Sequence, residues 1–513
     1  MRVEVLVIGG GATGAGTARD LAMRGFDVLL LERRDFCAGA SGANHGMLHS
    51  GARYVSKDKE SAIECASESK VLRRIAPHCI EDTGGLFVRL AEEDASYADS
   101  FSERCRSAGV SASHLTSREL RELEPELAST VSDGYSVMDG SIDPFRLVLS
   151  NIESAREAGA TVRNYCTVKA MAIDECRITR VQMEDRRNGA KTWIDPEIVV
   201  NTAGAWADKV AEMAGCHLDM TRDYGAMVVY NGRLVDRLIN RLRAPSDGDI
   251  IVPNHTAMIV GTTSRKVADP DLAVPDRQEL VRLRSEAEQV LPAMRDCRLV
   301  RVYGGARPLA SACAGRDASR TCSIIDHSDQ GVENLLSVVG GKLTTYRAMA
   351  QSASDKVEER LGPRSPCRTS LEPLPSPEKI PGGLLDHQRR SLLRRYGGMP
   401  IRDTGPLHGA KTSCSCEQVM RFELDHFARS DDVLGVADLM RRTRAGMGYC
   451  QSLDCVWEML SALAENGKWN EGALQDFLAE RDKGLLPLLS GDQLRQEIFR
   501  AHLLPTTPGG EAK

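Results

Sequence analysis

The first residues with recognisable chemistry are the glycines of the segment 9–14, Gly9-Gly10-Gly11-Ala12-Thr13-Gly14, which has the spacing G-x-G-x-x-G. The segment follows an apolar run (3–8) and precedes a helical pattern from Ala15 to Arg24, and a second apolar run (28–31) ends in an acid. In this order the first glycine allows a tight turn, the second lets backbone approach a pyrophosphate, and the third allows close helix–strand packing. The helix N-terminus stabilises the phosphates, and the acid binds the ribose hydroxyls. The pattern predicts a dinucleotide site that includes Gly9, Gly11, Ala12, Thr13, Gly14 and Glu32.

Two later glycine-containing segments distinguish FAD from NAD as the dinucleotide. A strand pattern at 199–201 ends in a small-residue turn at Gly204, and another at 335–339 leads through Gly340-Gly341 to a helix start near Lys342. The small residues 38–44 suit close passage of the backbone along a cofactor. A helix N-terminus together with Lys342 would stabilise negative charge on a reduced flavin. Three returns of the chain to one cofactor favour FAD, and we expect it to be contacted also by Arg33, Ser41, Asn44, Val168, Gly204, Gly341, Lys342, Leu343 and Thr344.

Four of the fifteen cysteines form two close pairs near the C-terminus, Cys414 with Cys416 and Cys450 with Cys455. Four thiolates from two pairs can bind a structural zinc ion or a [2Fe–2S] cluster. Zinc sites more often use C-x-x-C pairs, so the spacings here favour the cluster; core cysteines without a metal are the third possibility. Gly446 and Gly448 would let backbone N–H groups approach the sulfurs. The neighbouring arginines 441, 442 and 444 would offset a cluster's negative charge, or could form a solvated helix face or a docking patch for a partner.

The elements that must position these residues alternate, up to about residue 360, between strand-like apolar runs and charged helical segments. This pattern predicts an α/β fold. We expect an FAD-binding Rossmann-like domain interleaved with an α+β substrate domain over residues 1–362. It is followed by a Pro-rich linker (363–383), a helical connector (384–408), a small, mainly helical cysteine domain (409–470) and a C-terminal extension with a frayed tail (471–513).

The overall composition argues against two classes of protein. A net charge of −6 and a pI near 6.1 argue against a general nucleic-acid binder, whose surface would be basic. No run reaches the roughly 18–20 apolar residues of a membrane-spanning helix, and no cleavable secretory signal opens the chain. We therefore expect a cytoplasmic chain with reduced thiols, which could still dock on a membrane protein.

Five longer motifs, at residues 9–16, 44–54, 143–146, 303–309 and 340–347, resemble those of the FAD-dependent glycerol-3-phosphate dehydrogenases, which are DAO-type flavoproteins. Within this family the chain is most similar to the A subunit of the anaerobic, quinone-linked enzyme. The cysteine unit resembles the [2Fe–2S] domain of bacterioferritin-associated ferredoxin, abbreviated BFD. It differs from that ferredoxin's C-x-x-C second pair, but its wider spacing matches the dehydrogenase.

The resemblance implies oxidation of sn-glycerol 3-phosphate to dihydroxyacetone phosphate, with FAD as the immediate hydride acceptor. It also implies two partners, a second flavoprotein subunit with an iron–sulfur membrane-anchor subunit, which pass electrons to a quinone at the cytoplasmic face of the membrane. Two other functions remain open. The chain could be a related FAD-dependent amine or 2-hydroxy-acid oxidoreductase, or a non-catalytic electron-transfer or assembly subunit.

Substrate binding requires cations, and in the resembling family Arg53 and Arg307 lie at the substrate site beside Lys342. A guanidinium binds phosphate through two parallel hydrogen bonds, although the same group could bind a carboxylate or form a structural ion pair. His49 is the candidate general base, because histidine ordinarily titrates near neutral pH. His49, like His45 on the same segment, could instead orient FAD or bond to a backbone carbonyl. We expect Arg53, Arg307, Lys342 and His49 to be the catalytic residues.

Overall fold

The structure, a computed structural model, describes residues 1–310, 321–375, 377, 379–401, 407, 409–452, 454–469 and 471–503. The strands are β1 (Arg2–Ile8), β2 (Val28–Leu31), β3 (Met47–Leu48), β4 (Ile80–Glu81), β5 (Gly85–Leu90), β6 (Ala112–Thr116), β7 (Val131–Val137), β8 (Gly140–Ile142), β9 (Thr161–Arg163), β10 (Cys166–Asp174), β11 (Arg177–Asp185), β12 (Lys191–Asn201), β13 (Thr221–Tyr230), β14 (Leu238–Arg241), β15 (Ile250–Asn254), β16 (Ala257–Gly261), β17 (Arg265–Lys266), β18 (Leu299–Leu309), β19 (Cys322–Asp326), β20 (Leu335–Gly340), β21 (Thr412–Cys414) and β22 (Val419–Met420).

The helices are α1 (Ala12–Arg24), α2 (Lys59–Ile75), α3 (Ala95–Asp99), α4 (Phe101–Ser107), α5 (Ser117–Leu123), α6 (Pro144–Glu157), α7 (Ala207–Glu212), α8 (Arg277–Val290), α9 (Tyr346–Leu361), α10 (Asp386–Tyr396), α11 (Arg421–Ala428), α12 (Val436–Thr443), α13 (Cys455–Glu465), α14 (Glu471–Leu485) and α15 (Gly491–Leu503). Helix α1 begins three residues earlier than the sequence pattern predicted, because Gly11 serves as its N-cap.

The first sheet has a parallel core in the order β20-β12-β1-β2-β9. Strands β11 and β10 continue it antiparallel beside β12, and β19 pairs antiparallel with β20. Successive side chains of β1 enter different cores, as the period of two requires. Val5 and Val7 pack in the cluster that holds α1, α6 and α9, while Leu6 and Ile8 pack with β10, β11 and α7. The sheet therefore carries the glycine segment directly at the carboxyl end of β1.

The second sheet has the order β17-β13-β16-β15-β14-β5-β7-β6, with β18 also paired to β13. Its core includes the apolar side of α8. Strands β5 to β7 precede the first-sheet strands β9 to β12 along the chain, and β13 to β18 follow them. The two domains are therefore interleaved, as the sequence predicted. A small sheet, β3-β8-β4, lies in the chain segment that connects them.

The C-terminal unit, residues 409–485, packs around its own apolar core, in which three of the four paired cysteines are buried. Helix α14 also contacts β18 of the second sheet. The Pro-rich segment lies along the first domain, because Leu374 is buried there and its N–H donates to the carbonyl of Ile75 at 2.7 Å. The tail expected at 506–513 lies outside the described residues. In the part of the chain that the structure describes, no helix combines the length and the apolar character needed to cross a membrane.

Candidate active site

The glycine segment forms a tight cradle between β1 and α1. Gly9 has φ +115°, a backbone conformation that side chains rarely adopt. A Cβ atom on Gly14 would lie 1.9 Å from the carbonyl oxygen of Gly9 and 2.6 Å from Oγ1 of Thr202. The N–H of Ala12 donates to Oγ of Ser41 at 2.9 Å, which ties the helix start to the small-residue segment. Gly9 therefore makes the tight turn and Gly14 allows the close packing that the motif predicts, while the approach of Gly11 to a pyrophosphate stays a prediction.

Glu32 ends β2 beside this cradle. Its carboxylate accepts from the N–H of Gly10 at 2.7 Å and from the N–H of Arg34 at 2.8 Å. Burial raises the pKa of Glu32, and the two backbone donors counteract part of that rise. The acid is therefore held at the glycine segment, where a ribose would lie in a dinucleotide fold.

The other residues expected at the cofactor occupy three positions. Asn44 and Ser41 lie in the loop after β2, where the Asn44 Nδ2 atom donates to the Ser41 carbonyl at 2.5 Å. Arg33 lies 4.2 Å over the ring of Trp206 and bonds to Asp271. The others lie on or after three strands: Val168 is buried on β10, Gly204 (φ +57°) follows β12, and Gly341 (φ +83°), Leu343 and Thr344 lie between β20 and α9. Their contact with a cofactor stays a prediction.

The predicted substrate residues meet at a cavity of about 320 Å³, here called the arginine cavity. It lies between the segment 40–58 and strands β13 and β18. The chemically active side chains that line it are His45, His49, Arg53, Tyr54, Lys57, Asp58, Thr262 and Arg307. The sequence therefore identified side chains that the fold brings together from more than 250 positions apart.

Arg53 is buried at this cavity and held by a carboxylate. Its Nη2 atom donates to Oδ2 of Asp249 at 2.7 Å, and Arg243 donates to the other oxygen of the same carboxylate. Asp249 is thus shared between two guanidinium groups, and Arg243 also pairs with Glu286 at 2.8 Å. Arg53 therefore forms the structural ion pair that the sequence left open as an alternative, and its side chain also lines the arginine cavity.

Arg307 stands directly opposite Asp223 across the β13–β18 pair, and the two side chains form an ion pair of 2.6 Å. Its Nη2 atom also donates to Oγ1 of Thr262 at 2.7 Å. Gly225 provides the space for this arginine, because a Cβ atom there would lie 2.1 Å from Arg307 Nη2. Both Nη atoms also donate to the carbonyl of Thr263, so the protein fixes the orientation of the guanidinium at the cavity that it lines.

Two histidines line the same cavity, with ring centroids 6.0 Å apart. Burial, together with the positive charges of Arg307 and Arg53, lowers the pKa of His45 to about 3. The His49 ring packs against Tyr54 with ring centroids 5.2 Å apart, and the backbone N–H of His49 donates to Oγ1 of Thr344 at 3.1 Å. His49 therefore joins the arginine cavity to the turn that precedes α9.

Lys342 lies behind this group and is not among the described residues that line the arginine cavity. Its Nζ atom donates to Oγ of Ser61 at 2.7 Å and lies 5.0 Å from the ring centroid of Tyr54. The expectation that Lys342 accompanies the arginines at the substrate stays a prediction; the structure places it one side chain away from the cavity.

The four paired cysteines form one group of sulfurs. Cys416 Sγ lies 3.6 Å from Cys414 Sγ and 3.5 Å from Cys450 Sγ, and Cys414 also contacts Cys455. Hydrogen bonds from the Cys416 and Cys455 thiols lower the pKa of Cys414, and the N–H of Gly446 adds to this effect. A Cβ atom on Gly448 would lie 2.6 Å from Cys416 Sγ. Across the parts of the chain that the structure describes, however, no set of three or more His, Cys, Asp or Glu side chains has the arrangement of a metal site.

In the arginine run before the second cysteine pair, Arg442 and Arg444 are buried and Arg441 is partly exposed, so the alternatives of a solvated helix face or a partner-docking patch do not hold for the two buried arginines. Arg442 donates to both oxygens of Asp35, at 2.8 and 2.9 Å. Arg444 bonds to Asp143 and to Glu417. The physical reason is that Asp35 and Asp143 belong to the first domain, and their buried carboxylates need cations. The run therefore docks the cysteine unit onto that domain.

Sequence reasoning missed the carboxylates that position the two arginines. Neither Asp223 nor Asp249 lies in a recognisable sequence motif, and each is far from its arginine along the chain. Tyr54 was recoverable, because it directly follows Arg53 in a motif already singled out.

The chain matches the model of the family described as FAD dependent oxidoreductase over residues 4–354. The A subunit of the anaerobic glycerol-3-phosphate dehydrogenase of Escherichia coli (strain K12) is 37% identical to it, over 97% of this chain and 95% of its own length. The A1 subunit of the corresponding Haloferax volcanii enzyme is also 37% identical, over 98% of this chain and 89% of its own. The X-ray structure of the glycerol-3-phosphate dehydrogenase from Bacillus halodurans, complexed with FAD, shares the fold with a TM-score of 0.70 at 21% identity over 96% of both chains. The chain therefore belongs to the FAD dependent oxidoreductase family and, within it, to the group of the anaerobic glycerol-3-phosphate dehydrogenase A subunits.

Proposed function

We propose that this chain oxidises sn-glycerol 3-phosphate to dihydroxyacetone phosphate, with FAD as the hydride acceptor. The observation that carries the proposal is the arginine cavity, where Arg53 and Arg307 line one space together with two histidines. The names of the relatives support the same substrate. A cavity of about 320 Å³ suits a three-carbon phosphate, and it lies at the lower end of the usual range for ligand sites.

The residues of the first domain fit FAD. Gly9 and Gly14 keep the turn after β1 and the first turn of α1 so close together that a Cβ atom on either would collide with backbone, and Gly11 is the N-cap of α1. The N-terminus of a helix in this position stabilises a pyrophosphate. When bound, FAD supplies the acceptor for the hydride that leaves the carbinol carbon. The glycine segment, Glu32 and Ser41 would hold it.

The chain's own residues bind the substrate and remove its hydroxyl proton. Arg53 and Arg307 bind the phosphate dianion, and this fixes the position of the carbinol carbon. An imidazole nitrogen of His49 accepts the hydroxyl proton. His45 is the weaker base, since burial and both arginine charges keep its pKa at about 3. As a neutral neighbour, His45 adds no further positive charge to the cavity.

Anaerobic reduction of the bound flavin tests this function. We expect glycerol 3-phosphate to bleach the visible flavin absorbance of the purified chain, while lactate, 2-hydroxyglutarate and sarcosine leave it unchanged. Bleaching by one of the carboxylates but not by glycerol 3-phosphate would instead identify an amine or hydroxy-acid oxidoreductase. No bleaching by any of them would favour a non-catalytic role.

We also propose that the four cysteines bind a [2Fe–2S] cluster, which takes electrons onward from the flavin. Thiolates that share one tetrahedral ion lie about 3.8 Å apart when each metal–sulfur bond is about 2.3 Å, so the contacts of 3.5 and 3.6 Å support metal binding by these sulfurs. The C-x-C and C-x-x-x-x-C spacings, and not these distances, favour the cluster over a zinc ion. Cysteine sulfurs and backbone N–H donors are the surroundings in which such clusters occur. EPR of the anaerobically purified, dithionite-reduced chain should show the signal of a reduced [2Fe–2S] cluster. Zinc without iron, or four free thiols, would exclude it.

The electron acceptor follows from the same group of relatives. Their names call them A or A1 subunits, which supports further subunits in this protein's complex. We propose two partners, a second flavoprotein subunit with an iron–sulfur membrane anchor, through which electrons reach a quinone at the cytoplasmic face of the membrane. Affinity purification of the tagged chain from detergent-solubilised membranes should recover both partners; recovery of the chain alone from the soluble fraction would contradict this.

A further inference from the structure

A second cavity, of about 290 Å³, lies where the two large domains meet the cysteine unit; we call it the junction cavity. It is bounded by the loop 37–43, the beginning of β18, and residues of α12 and α14. None of the glycine-segment residues 9–14 lines it, and neither does Glu32. The junction cavity is therefore separate from the glycine segment, and its loop 37–43 overlaps the small-residue segment that we expect to pass along FAD.

Two guanidinium groups that line this cavity lack a carboxylate partner within the described residues. The Nε atom of Arg301 is buried without a hydrogen-bond partner, and in the described part of the chain its side chain makes neither a hydrogen bond nor an ion pair. Arg481 donates to the carbonyl of Gln451 and, among the same residues, forms no ion pair. Burial lowers the pKa of Arg301; Tyr303 and the carboxylate of Glu480, which also lines the cavity, counteract part of this fall, and the positive charge of Arg481 adds to it.

The other cations at the junction cavity are compensated. Arg34 pairs with Asp271 at 2.9 Å, and Lys483 pairs with Glu480 at 2.7 Å. Arg441 bonds to Asp35 and to Asp438. A buried charge without a partner is unfavourable by several kcal/mol. Arg301 meets this condition at its buried Nε atom, and the partly exposed Arg481 lies near it, so an anion that enters the cavity would meet two guanidinium groups that form no ion pair within the described residues.

We propose that the junction cavity is a second anion site, which binds a small phosphate dianion between Arg301 and Arg481. Guanidinium pairs are the side chains best suited to a phosphate, because each can donate two parallel hydrogen bonds. The cavity is small for a ligand site, so inorganic phosphate or a short phosphate monoester fits its volume better than a nucleotide. This site goes beyond the proposed dehydrogenase function and does not depend on it.

The position of Arg301 relates the two cavities. Arg301 and Arg307 lie six residues apart on β18, hence on the same face of the strand and about 20 Å apart along it. Ala40, Ala43 and Gly305 line both cavities. An anion held by Arg301 and Arg481 would therefore bind next to the arginine cavity, and it would join the C-terminal extension to the strand that carries Arg307.

Isothermal titration of the FAD-loaded full chain with inorganic phosphate tests the proposal. We expect two binding events. Arg301→Met should weaken one of them at least tenfold, and Glu480→Gln should strengthen the same event by removing a nearby negative charge. The double variant Arg307→Met/Asp223→Asn should remove only the other event. An unchanged isotherm for Arg301→Met would overturn the junction site, whereas a missing Arg307-dependent event alone would count against the proposed substrate site.

Two further measurements separate folding effects and ligand sources. Arg301→Met should fold at least as stably as the wild type in phosphate-free buffer, since it removes an unpaired charge, and phosphate should raise the thermal midpoint of the wild type more than that of the variant. Glycerol 2-phosphate, titrated in parallel, distinguishes a monoester from free phosphate: the tighter binder at the Arg301-dependent event is the preferred source. If neither compound binds there, the proposal is wrong.

Discussion

The proposed phosphate site can be tested at Arg307, and the structure determines which substitution is informative. Only 1% of the Asp223 side chain is exposed, and Arg307 is its cationic partner. Removing one member of a buried ion pair leaves an uncompensated charge and costs roughly 3–5 kcal/mol. Arg307→Ala alone would therefore combine lost binding with lost stability. The double variant Arg307→Met/Asp223→Asn removes both charges and keeps most of the side-chain volume.

The expected effect follows from the strength of the lost contacts. A hydrogen bond to a charged group contributes about 1.5–3 kcal/mol, and each 1.4 kcal/mol changes an affinity tenfold. We therefore expect the KM for glycerol 3-phosphate to rise about 10- to 150-fold in the double variant. The FAD content should stay unchanged, because Arg307 lies outside the glycine segment and its neighbouring turns.

Anaerobic dye reduction at varied glycerol 3-phosphate gives the KM, flavin absorbance gives the FAD content, and urea unfolding gives the stability. The matched control is Arg89→Met/Asp133→Asn, which removes an ion pair of 2.6 Å from the same sheet and lies outside the arginine cavity. The control should leave the KM unchanged. If the Arg307 variant retained a wild-type KM and turnover with full FAD, the assignment of Arg307 to the phosphate would be refuted.

Three further outcomes are expected elsewhere in the chain. Gly14→Ala should lose bound FAD, because the added Cβ atom would lie 1.9 Å from a backbone oxygen. The control Gly232→Ala, whose Cβ atom would meet no atom within 4 Å, should keep FAD, as measured by the flavin absorbance of the purified variants. Burial lowers the pKa of His78 to about 4, so between that pH and about 6.5 the unfolded chain binds more protons than the folded one. The free energy of unfolding should therefore decrease as the pH is lowered, by roughly 2 kcal/mol from this group after allowance for solvent screening. Urea unfolding at pH 7 and pH 4.5 should show a smaller decrease in His78→Gln, and an equal decrease would contradict the assignment. Arg442→Met should make the cysteine unit more sensitive to limited proteolysis, because the buried Asp35 loses its bidentate partner. Adding Asp35→Asn to this variant should restore much of the resistance. Unchanged cleavage in both variants would show that this ion pair does not hold the unit.

The parts of the fold that the sequence predicted depend on local signals. The strand 2–8, the glycine segment and Glu32 lie within 32 consecutive residues, and each has a conformational requirement that the sequence states directly. Gly9 has a positive φ, and Gly14 has no space for a Cβ atom, as the motif requires. The start of α1 was misplaced because Gly11, which lacks a side chain to cap a helix, is a weak boundary signal.

The parts that the sequence did not predict depend on charges brought together by the fold. Arg53 and Asp249 lie 196 residues apart, and Arg307 and Asp223 lie 84 apart, so no local pattern connects them. The sequence left open that the arginines of the run 441–444 form a solvated surface, because runs of charged residues usually lie on the surface. Only the tertiary structure shows that Asp35 and Asp143 meet it in the interior.

The same ion pairs determine how the cysteine unit relates to the flavin domain. Asp35 lies three residues after Glu32, just before the loop 37–43. Its carboxylate forms ion pairs with Arg441 and Arg442 at the end of α12. The turn after that helix contains Gly446, whose N–H bonds to Cys414. One continuous set of contacts therefore links the nucleotide cradle to the sulfur group. Because these contacts are buried and charged, specific ion pairs set the position of the cysteine unit, and the length of the Pro-rich segment does not. That segment itself packs along the first domain through Leu374. A unit tethered only by a linker would require no such pairing, so we infer that the cysteine unit is an integral part of the oxidoreductase fold.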